Sequence, residues 1–233
     1  MKIEISLADL ERVYGKYWWR KDQEELYNEL CREPFKLLVF TILSQNTSSE
    51  NTYRAYKGLS SKFSIDSATL AKASEKELAK CIKAGGLHNI KAERIKACSQ
   101  YILNELNAEL SEILKLPVDK AREELQKIPG VGSKTADVLL SNVYTSKEAL
   151  VIDTHMRRLA LRVGLVEKGA SYEKIQKALT DSIPWNSIPK EKHERYVGLL
   201  WLLAKHTCGA IKPKCGDCSL RNMCKYCRVV RVL

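Results

Sequence analysis

Cysteines near the end of the chain have a spacing that is typical of a metal centre. Cys208, Cys215, Cys218 and Cys224 form a C-x6-C-x2-C-x5-C pattern within 17 residues. Four such thiolates can converge on one centre, and ligation by four cysteines suits either a [4Fe–4S] cluster or zinc. Two C-x2-C pairs about 15–20 residues apart would indicate a zinc ribbon, and this chain lacks that spacing. A rival ligand set stays open, because replacing Cys208 by Cys227 gives two closely spaced C-x2-C pairs.

A glycine-containing segment between two helical patterns has the features of a phosphate-binding turn. Residues 128–135 read Ile-Pro-Gly-Val-Gly-Ser-Lys-Thr. Gly130 and Gly132 allow backbone conformations that a side chain would obstruct, so amide groups can approach a ligand closely. The helix that follows adds the positive end of its dipole, and the combination suits a phosphate oxygen of a DNA backbone. The spacing is not that of a P-loop, and an ordinary tight turn between helices explains the segment about as well.

Lys134 and Asp153 are candidates for catalysis. Lys134 falls in the first turn of the helix predicted after the glycines, where the helix dipole disfavours a cation and favours the neutral amine. A neutral amine can attack the C1′ atom of a sugar and form a Schiff base. Asp153 follows the apolar run of residues 150–152 and opens another predicted helix, so its carboxylate is expected to be fixed and able to assist proton transfer or stabilise an oxocarbenium ion. Taken singly, such residues are usually a solvated lysine and an N-cap.

Helices must position these residues, because almost every apolar pattern has a helical period and strand alternation is scarce. Helix starts are predicted at one proline and at three capping pairs: Pro34, Ser6 with Asp9, Thr47 with Glu50, and Ser74 with Glu77. Further helical patterns cover about residues 90–106, 118–127, 134–143, 154–163, 172–182 and 190–206. The sequence therefore predicts an all-α body with two lobes and a short irregular C-terminal tail.

The charge of the chain favours a polyanionic partner. The 39 Lys and Arg residues exceed the 28 Asp and Glu residues by 11, and the pI is near 9.2. This balance is expected of a protein that approaches nucleic acid, although solubility alone explains excess charge in many proteins. Six of the 11 net charges fall in the last 29 residues, which also contain five cysteines. We therefore expect a metal centre that folds a basic, phosphate-binding loop.

The composition excludes several other classes of protein. The apolar fraction of 45% and the charged fraction of 29% are those of an ordinary globular protein. No apolar run approaches the roughly 20 residues that span a bilayer, so no membrane association is expected. The first residues have no apolar segment or cleavage site of a secretory signal, so secretion is not expected either. A reducing compartment would make disulfides a poor explanation of the cysteines.

The order of these motifs strongly resembles that of endonuclease III, the iron–sulfur branch of the helix–hairpin–helix DNA glycosylases. Residues 129–136 resemble the hairpin and catalytic-lysine segment, residues 151–155 the catalytic-aspartate segment, and residues 212–218 the cluster loop. Residues 43–47 and 86–89 resemble the loops that insert side chains into the duplex. The resemblance extends from about residue 30 to residue 226, with the motifs in the right order and at the right separations.

The resemblance implies a two-domain, all-α fold of the helix–hairpin–helix DNA glycosylases. Residues 30–143 would form a helical-barrel domain that contains the helix–hairpin–helix. Residues 1–29 would pack with residues 144–233 in an iron–sulfur cluster domain, and DNA would lie in the cleft between the domains. The cluster would be [4Fe–4S], and it would hold a basic loop against phosphates without performing redox chemistry on the substrate.

By matching position, the resemblance also implies roles for individual residues. Lys134 would be the nucleophile and Asp153 the essential carboxylate. Gln45 would fill the space left by the flipped base, and Leu87 would wedge the opposite strand. Five residues would contact DNA in all: Gln45, Leu87, Gly130, Val131 and Gly132. The cluster ligands would be Cys208, Cys215, Cys218 and Cys224.

The implied function is that of a bifunctional DNA glycosylase and AP lyase of base excision repair, acting on oxidised pyrimidines. Lys134 favours this activity, because relatives that act on mismatched thymine or adenine carry Tyr or Ser in its place. Ser48 stands where family members often have an acidic residue, which affects the expected lesion preference more than the reaction. The alternatives are a glycosylase for thymine or uracil opposite guanine or for another damaged base, and a non-catalytic DNA-binding protein with a structural metal.

The expected partner is double-stranded DNA that contains damaged bases or abasic sites. Flipping of the target nucleotide is required, because the glycosidic carbon of a stacked base is inaccessible. The resemblance implies action as a monomer. We expect a cytoplasmic, nucleoid-associated protein of a bacterium or an archaeon.

Overall fold

The structure is a computed structural model that describes residues 2–18 and 21–230, except for the side chains of residues 21–23 and 230. The regular elements in these ranges are all helical, so the all-α fold predicted from the sequence is confirmed. None of the described helices has the length and apolar character to cross a membrane.

The helices follow one another along the chain as α1 (Leu7–Tyr14), α2 (Lys21–Cys31), α3 (Pro34–Ser44), α4 (Ser49–Ser60), α5 (Ser67–Lys72), α6 (Glu75–Cys81), α7 (His88–Glu105), α8 (Leu110–Ile113), α9 (Val118–Gln126), α10 (Ser133–Leu140), α11 (Thr154–Val163), α12 (Tyr172–Ser182), α13 (His193–His206) and α14 (Lys225–Val230). Short 3₁₀ turns lie at Gly15–Tyr17, Lys83–Gly85, Trp185–Ser187, Lys190–Lys192 and Cys215–Asp217. The described part of the chain divides into two compact units, one of residues 2–18 with 144–230 and the other of residues 21–143.

The unit of residues 2–18 and 144–230 is built on α13, against which α1 and α11 pack. Two buried hydroxyl groups tie the N-terminal segment into this core. The Tyr14 hydroxyl lies 2.8 Å from Thr207 Oγ1, and Tyr196 donates a 3.0 Å hydrogen bond to the carbonyl of Ile5. Burial raises the pKa of Tyr14, so the phenol stays neutral and its hydrogen bond is retained at physiological pH.

The unit of residues 21–143 is built on α3, which is apolar on nearly all sides and is therefore central. Leu38, Val39, Ile42 and Leu43 are completely buried. Helix α3 packs against α2, α4, α7 and α10, while α9 packs against α10. The long helix α7 also packs against α5 and α6, so it contacts much of this unit.

Most of the predicted helix starts are confirmed. The Ser6 and Ser74 side chains each accept a hydrogen bond from the amide three residues ahead, and Pro34 is the first residue of α3. The predicted start at Thr47 is wrong, because the N-cap of α4 is Ser48, whose Oγ accepts from the Asn51 amide. Either hydroxyl has the chemistry of an N-cap, and the backbone of the preceding turn decides which one is used.

Four of the described helices lie where the sequence analysis predicted none, namely α2, α5, α8 and α14. Helix α2 precedes Pro34 and packs against α3, so residues 21–29 fall in the unit of residues 21–143, whereas the sequence analysis placed them with residues 144–233. Helix α14 corrects the expectation of an irregular C-terminal tail over residues 225–230. It packs against α11, and this tertiary contact stabilises a helix too short to persist alone.

Candidate functional site

The predicted phosphate-binding turn is a helix–hairpin–helix formed by α9, residues 127–132 and α10. Gly130 has a φ of +82°, and a Cβ added there would lie 3.3 Å from the Cβ and Cγ atoms of Arg94. The positive φ therefore favours glycine at position 130, and a side chain there would also crowd Arg94. At Gly132 an added Cβ would lie more than 4 Å from every described atom outside its neighbours, so this backbone is open to a ligand. Gly132 is also the N-cap of α10 and offers no side-chain cap to the first-turn amides.

Buried side chains and one ion pair hold the hairpin in place. The side chains of Ile128 and Val131 are buried, and the Val131 amide donates to the Ile128 carbonyl at 3.0 Å. The Val131 amide and side chain are therefore both used within the protein, and they stabilise the turn. Arg122 on α9 donates a 2.9 Å hydrogen bond to Asp137 on α10, whose side chain is completely buried. This ion pair holds the two helices of the motif together.

Lys134 is the second residue of α10 and is exposed. It follows directly after the open backbone of Gly132, so its ammonium group lies on the surface beside the predicted phosphate site. Lys134 belongs to the unit of residues 21–143, whereas Asp153 belongs to the other unit.

Asp153 is the N-cap of α11, and both of its carboxylate oxygens are engaged. Oδ1 accepts hydrogen bonds of 2.9 Å from the amides of His155 and Met156. Oδ2 accepts a 2.7 Å hydrogen bond from Nε1 of Trp201 on α13. Three donors thus fix the half-buried carboxylate, as expected for a group that must present a negative charge in one place.

Trp201 was missed by the sequence analysis. It lies 48 residues from Asp153, and a tryptophan on an apolar helix is normally part of the core. Its ring makes an edge contact with His155 at a centroid distance of 5.7 Å, and Lys205 Nζ lies 4.7 Å from the ring centroid. These contacts orient the indole N–H toward the carboxylate.

The two loops expected to enter the duplex lie in the unit of residues 21–143. Gln45 is the C-cap of α3 and is half-buried, with its Oε1 accepting a 2.6 Å hydrogen bond from Arg94. Leu87 is 52% exposed, so much of its side chain is accessible to a binding partner. The backbone is left-handed at Asn46 (φ 52°) and at Leu87 (φ 48°).

Arg94 is a second residue that the sequence analysis missed. From α7 it contacts both Gln45, through its guanidinium group, and the hairpin at Gly130, through its aliphatic carbons. The structure therefore brings two of the predicted DNA-binding positions, Gln45 and Gly130, into contact with one residue of α7. An arginine in a helical pattern carries no signal of such a role, because its partners are distant in sequence.

All five C-terminal cysteines line one pocket, with four of them on the loop between α13 and α14 and Cys227 within α14. Cys208, Cys218, Cys224 and Cys227 are buried and Cys215 is half-buried. Both ligand sets considered from the sequence are thus present at the same place. The thiol of Cys227 lies within hydrogen-bonding reach of Cys215 and Cys224.

Two arginines of α11 hold the cysteine-bearing loop. Arg162 donates to the carbonyls of Cys208, Gly209 and Ala210, and its Nη1 lies 3.4 Å from Cys208 Sγ. Arg158 donates a 2.7 Å hydrogen bond to the same Cys208 carbonyl. Cationic donors beside sulfur stabilise thiolates and anionic metal–sulfur centres.

The chemistry of the thiols fits a metal–sulfur centre. Burial raises the pKa of Cys218 to about 11, and burial with the nearby thiols raises the pKa of Cys227 to about 12. These thiols are neutral at physiological pH unless a cationic centre stabilises their thiolates. Within the described residues, no group of three or more His, Cys, Asp or Glu side chains is arranged to hold a single metal ion. In a [4Fe–4S] cluster each of the four cysteines binds a different iron, so the four sulfur atoms lie farther apart than they would around one zinc ion, where each Zn–S bond is about 2.3 Å.

The family model that matches this chain is that of the HhH-GPD superfamily base excision DNA repair proteins, over residues 39–184. The endonuclease III of Thermotoga maritima is 34% identical over 217 residues, covering 88% of this chain and 93% of that protein. The endonuclease III of Sulfolobus acidocaldarius is 29% identical over 213 residues, covering 89% and 91%. A solved structure of a trapped endonuclease III–DNA covalent intermediate has a TM-score of 0.72 at 24% identity, covering 97% of this chain and 95% of that one.

The helical fold, the hairpin and these similarities define an enzyme of base excision DNA repair, and the chain belongs to the HhH-GPD superfamily. Within it, the resemblance to the endonuclease III family that the motifs indicated is confirmed. Members of that family are DNA glycosylases and AP lyases, so the predicted enzyme class is confirmed as well. The family generally contains an iron–sulfur cluster, and the relatives include bacterial and archaeal proteins.

Proposed function

We propose that this enzyme excises oxidised pyrimidines from double-stranded DNA and cleaves the abasic strand by β-elimination through a Schiff base on Lys134. The observation that carries this proposal is the exposed amine of Lys134 in the first turn of α10, directly after the hairpin. The amine is accessible to a bound sugar, and a lysine amine can attack its C1′ atom to form a Schiff base. The covalent intermediate trapped between an endonuclease III and DNA supports a covalent step.

The reaction begins when the flipped nucleotide presents its C1′ atom to Lys134. The amine attacks C1′ as the bond to the base breaks, and the base leaves with the bonding electrons and takes up a proton. Loss of a proton from nitrogen and opening of the sugar ring give the Schiff base. Removal of a proton from C2′ then expels the 3′ phosphate, and hydrolysis of the Schiff base releases Lys134.

Asp153 stabilises the positive charge that develops on the sugar as the base departs. Its three hydrogen-bond donors are two backbone amides and the Trp201 indole, none of which can neutralise it by ion pairing. A carboxylate oriented before the reaction pays no reorganisation cost at the transition state.

The hairpin binds a DNA phosphate through the backbone of Gly130 and Gly132. The open space at Gly132 and the positive end of the α10 dipole support this assignment. Val131 contributes by shaping the turn, since its amide already donates to Ile128. Such contacts grip the backbone without reading sequence, which suits an enzyme that must search all DNA.

Gln45 fills the space that the flipped base leaves, and Leu87 wedges the opposite strand. The amide of Gln45 can form hydrogen bonds with an unpaired base, and the exposed Leu87 side chain can stack against bases. Double-stranded DNA with damaged bases or abasic sites is therefore the proposed partner.

The pocket of five cysteines holds a [4Fe–4S] cluster through Cys208, Cys215, Cys218 and Cys224. When bound, the cluster supplies structural stability by folding a loop rich in cations. The hydrogen bonds from Arg162 to the loop and its contact with Cys208 Sγ support the inclusion of Cys208 among the ligands. We assign residues 144–230, together with residues 2–18, to the cluster domain and residues 21–143 to the helical-barrel domain.

Replacing single cysteines should distinguish the two ligand sets. Cys208→Ser is expected to abolish the broad visible absorption of the purified protein and to lower its iron and acid-labile sulfide content, because one of four ligands is lost. Cys227→Ser is the matched control, since it removes a thiol from the same pocket. It should retain iron, sulfide and absorption. The opposite pair of results would assign the rival set, and a colourless wild-type protein with bound zinc would contradict the cluster.

We place the protein in the cytoplasm of a bacterium or an archaeon, associated with the nucleoid and acting as a monomer. The bacterial and archaeal relatives support this assignment, and the net charge of +11 suits a protein that resides on DNA.

The proposal is tested with a panel of duplexes that differ in a single base pair. The panel contains thymine glycol, 5-hydroxycytosine, thymine or uracil opposite guanine, 8-oxoguanine and an abasic site. Release of the oxidised pyrimidines, strand cleavage and a borohydride-trapped covalent adduct are expected. Preference for the mismatches would favour a mismatch glycosylase. Binding to every duplex without turnover or trapping would show a non-catalytic DNA-binding protein.

A further inference from the structure

A buried lysine lies behind the two loops that are proposed to enter the duplex. Lys91, in the first turn of α7, is only 1% exposed. Its ammonium group donates a 2.7 Å hydrogen bond to the carbonyl of Leu43 and a 2.8 Å bond to the carbonyl of Gly85. Burial, with the nearby charge of Arg94, lowers the pKa of Lys91. A cation this deeply buried is uncommon unless it has a specific role.

The two acceptors belong to different loops. Leu43 lies in the last turn of α3, two residues before Gln45, and Gly85 lies two residues before Leu87. The end of α3 leaves carbonyls without helical partners, and the negative end of its dipole attracts a cation. One ammonium group therefore binds the backbone of both loops close to their inserting side chains.

Both loops contain backbone that must be held in place. Asn46 and Leu87 have left-handed conformations that residues with a Cβ rarely adopt, and these persist only where the surroundings enforce them. At Gly85 an added Cβ would lie 3.1 Å from the Cβ of Ala55 and 3.7 Å from Lys91 Nζ. The lack of a side chain at Gly85 thus lets the second loop approach the ammonium group closely.

One turn along α7, Arg94 adds a second link to the same assembly. Its guanidinium group holds the Gln45 side chain, and its aliphatic carbons pack against Gly130 of the hairpin. The first two turns of α7 therefore contact both inserting loops and the phosphate-binding turn. Of these contacts, only the Lys91 ammonium group binds the backbone of both inserting loops.

We propose that Lys91 is a positioning residue that fixes the spacing of the Gln45 and Leu87 loops, so that both side chains enter the duplex together. This inference rests on the proposed function, in which the target base is flipped from a paired stack. Insertion on both strands offsets the cost of unpairing the target, and this offset depends on the relative position of the two loops. The proposal therefore assigns Lys91 a role in opening the duplex, separate from the chemistry at Lys134.

The test compares a lesion paired within a duplex with the same lesion in an unpaired bubble, where flipping costs little. Lys91→Met keeps the length and volume of the side chain and removes the ammonium group. It is expected to reduce single-turnover base release from the duplex by about tenfold or more, with little change for the bubble. Fluorescence of 2-aminopurine beside the lesion should show reduced unstacking. Lys91→Arg keeps the cation with a different reach and should show a smaller loss of the same kind.

Lys96→Met is the matched control, because it removes a lysine charge from the same helix at a less buried position. It should leave the ratio of duplex to bubble activity at the wild-type value. An equal loss on both substrates in the folded fraction would show that Lys91 only stabilises the core and would overturn the inference. If Lys91→Met does not fold, the ratio of duplex to bubble activity of Lys91→Arg distinguishes the positioning role from a purely structural one. A wild-type protein that is inactive on both substrates would instead defeat the proposed function.

Discussion

Replacing Lys134 by glutamine is expected to eliminate the borohydride-trapped DNA adduct and to slow strand cleavage by at least about 10³-fold. An amide nitrogen is not nucleophilic, so neither attack on C1′ nor a Schiff base is possible at this position. Base release should fall as well, because attack by the amine and departure of the base belong to the same step. The measurements are single-turnover cleavage of the oxidised-pyrimidine duplex and gel detection of the reduced adduct.

The fold should tolerate this change. Lys134 is exposed at the positive end of α10, where loss of a cation is neutral or slightly stabilising. The free energy of unfolding should therefore stay within about 0.5 kcal/mol of the wild-type value. DNA affinity should fall only by the contribution of one charge.

Lys127→Gln is a matched control beside the same hairpin. Its ammonium group is exposed and lies 2.7 Å from both carboxylate oxygens of Glu124. It should retain trapping and cleavage at close to the wild-type rate. Persistent trapping by the Lys134 variant would show that another amine is the nucleophile and would refute the assignment.

The second large effect is expected at Asp153, where asparagine should lower base release by about 10²–10⁴-fold while DNA binding is retained. Asparagine keeps the size of the side chain, and its oxygen can accept the hydrogen bonds of the His155 and Met156 amides. Asparagine is also as good an N-cap as aspartate, so α11 should form normally. What is lost is the negative charge, together with the acceptor for Trp201.

The competing explanation is that Asp153 serves only as a cap, and a matched change distinguishes the two roles. Asp66 is the N-cap of α5 and accepts a 2.7 Å hydrogen bond from the Thr69 amide. Asp66→Asn makes the same chemical change at another helix start and should leave base release nearly unchanged. If the two variants behaved alike, Asp153 would be a cap without a part in the mechanism.

Trp201→Phe extends the same test, because it leaves the carboxylate charged and removes one of its three donors. A hydrogen bond to a charged group is worth about 1.5–3 kcal/mol, so a loss of about 10- to 100-fold in base release is expected. The phenyl ring should retain most of the packing on α13. A rate equal to that of the wild type would show that the two backbone amides are sufficient to position Asp153.

Features whose partners lie within a few residues could be predicted from the sequence. The N-caps at Ser6 and Ser74, the helix start at Pro34 and the turn at Gly130 each depend on local backbone chemistry. The error at Thr47 shows the limit of this reasoning, because two adjacent residues can both cap and only the folded loop selects Ser48. Helix α14 was missed for a related reason, since its stability comes from packing against α11.

The residues that support the candidate site could not be predicted in this way. Trp201 is 48 residues from Asp153, and Lys91 is 48 residues from Leu43. In a helical pattern, a tryptophan predicts a buried position and a lysine predicts an exposed one. Neither residue type predicts which distant residue it will contact. Only folding brings an indole N–H to a carboxylate and an ammonium group to two carbonyls.

The sequence by itself determined the all-α class, the family and the chemistry available to this protein. Lys134 after the glycine hairpin, Asp153 at a helix start and the cysteine spacing are local patterns, and reactivity depends first on which groups are present. The tertiary structure alone decided how those groups are held. It supplied Trp201 for Asp153, Arg162 for the cysteine loop and Lys91 for the two inserting loops. The reason is physical: a buried polar group must find a partner, and the partner is chosen by the packing of helices that are distant in sequence.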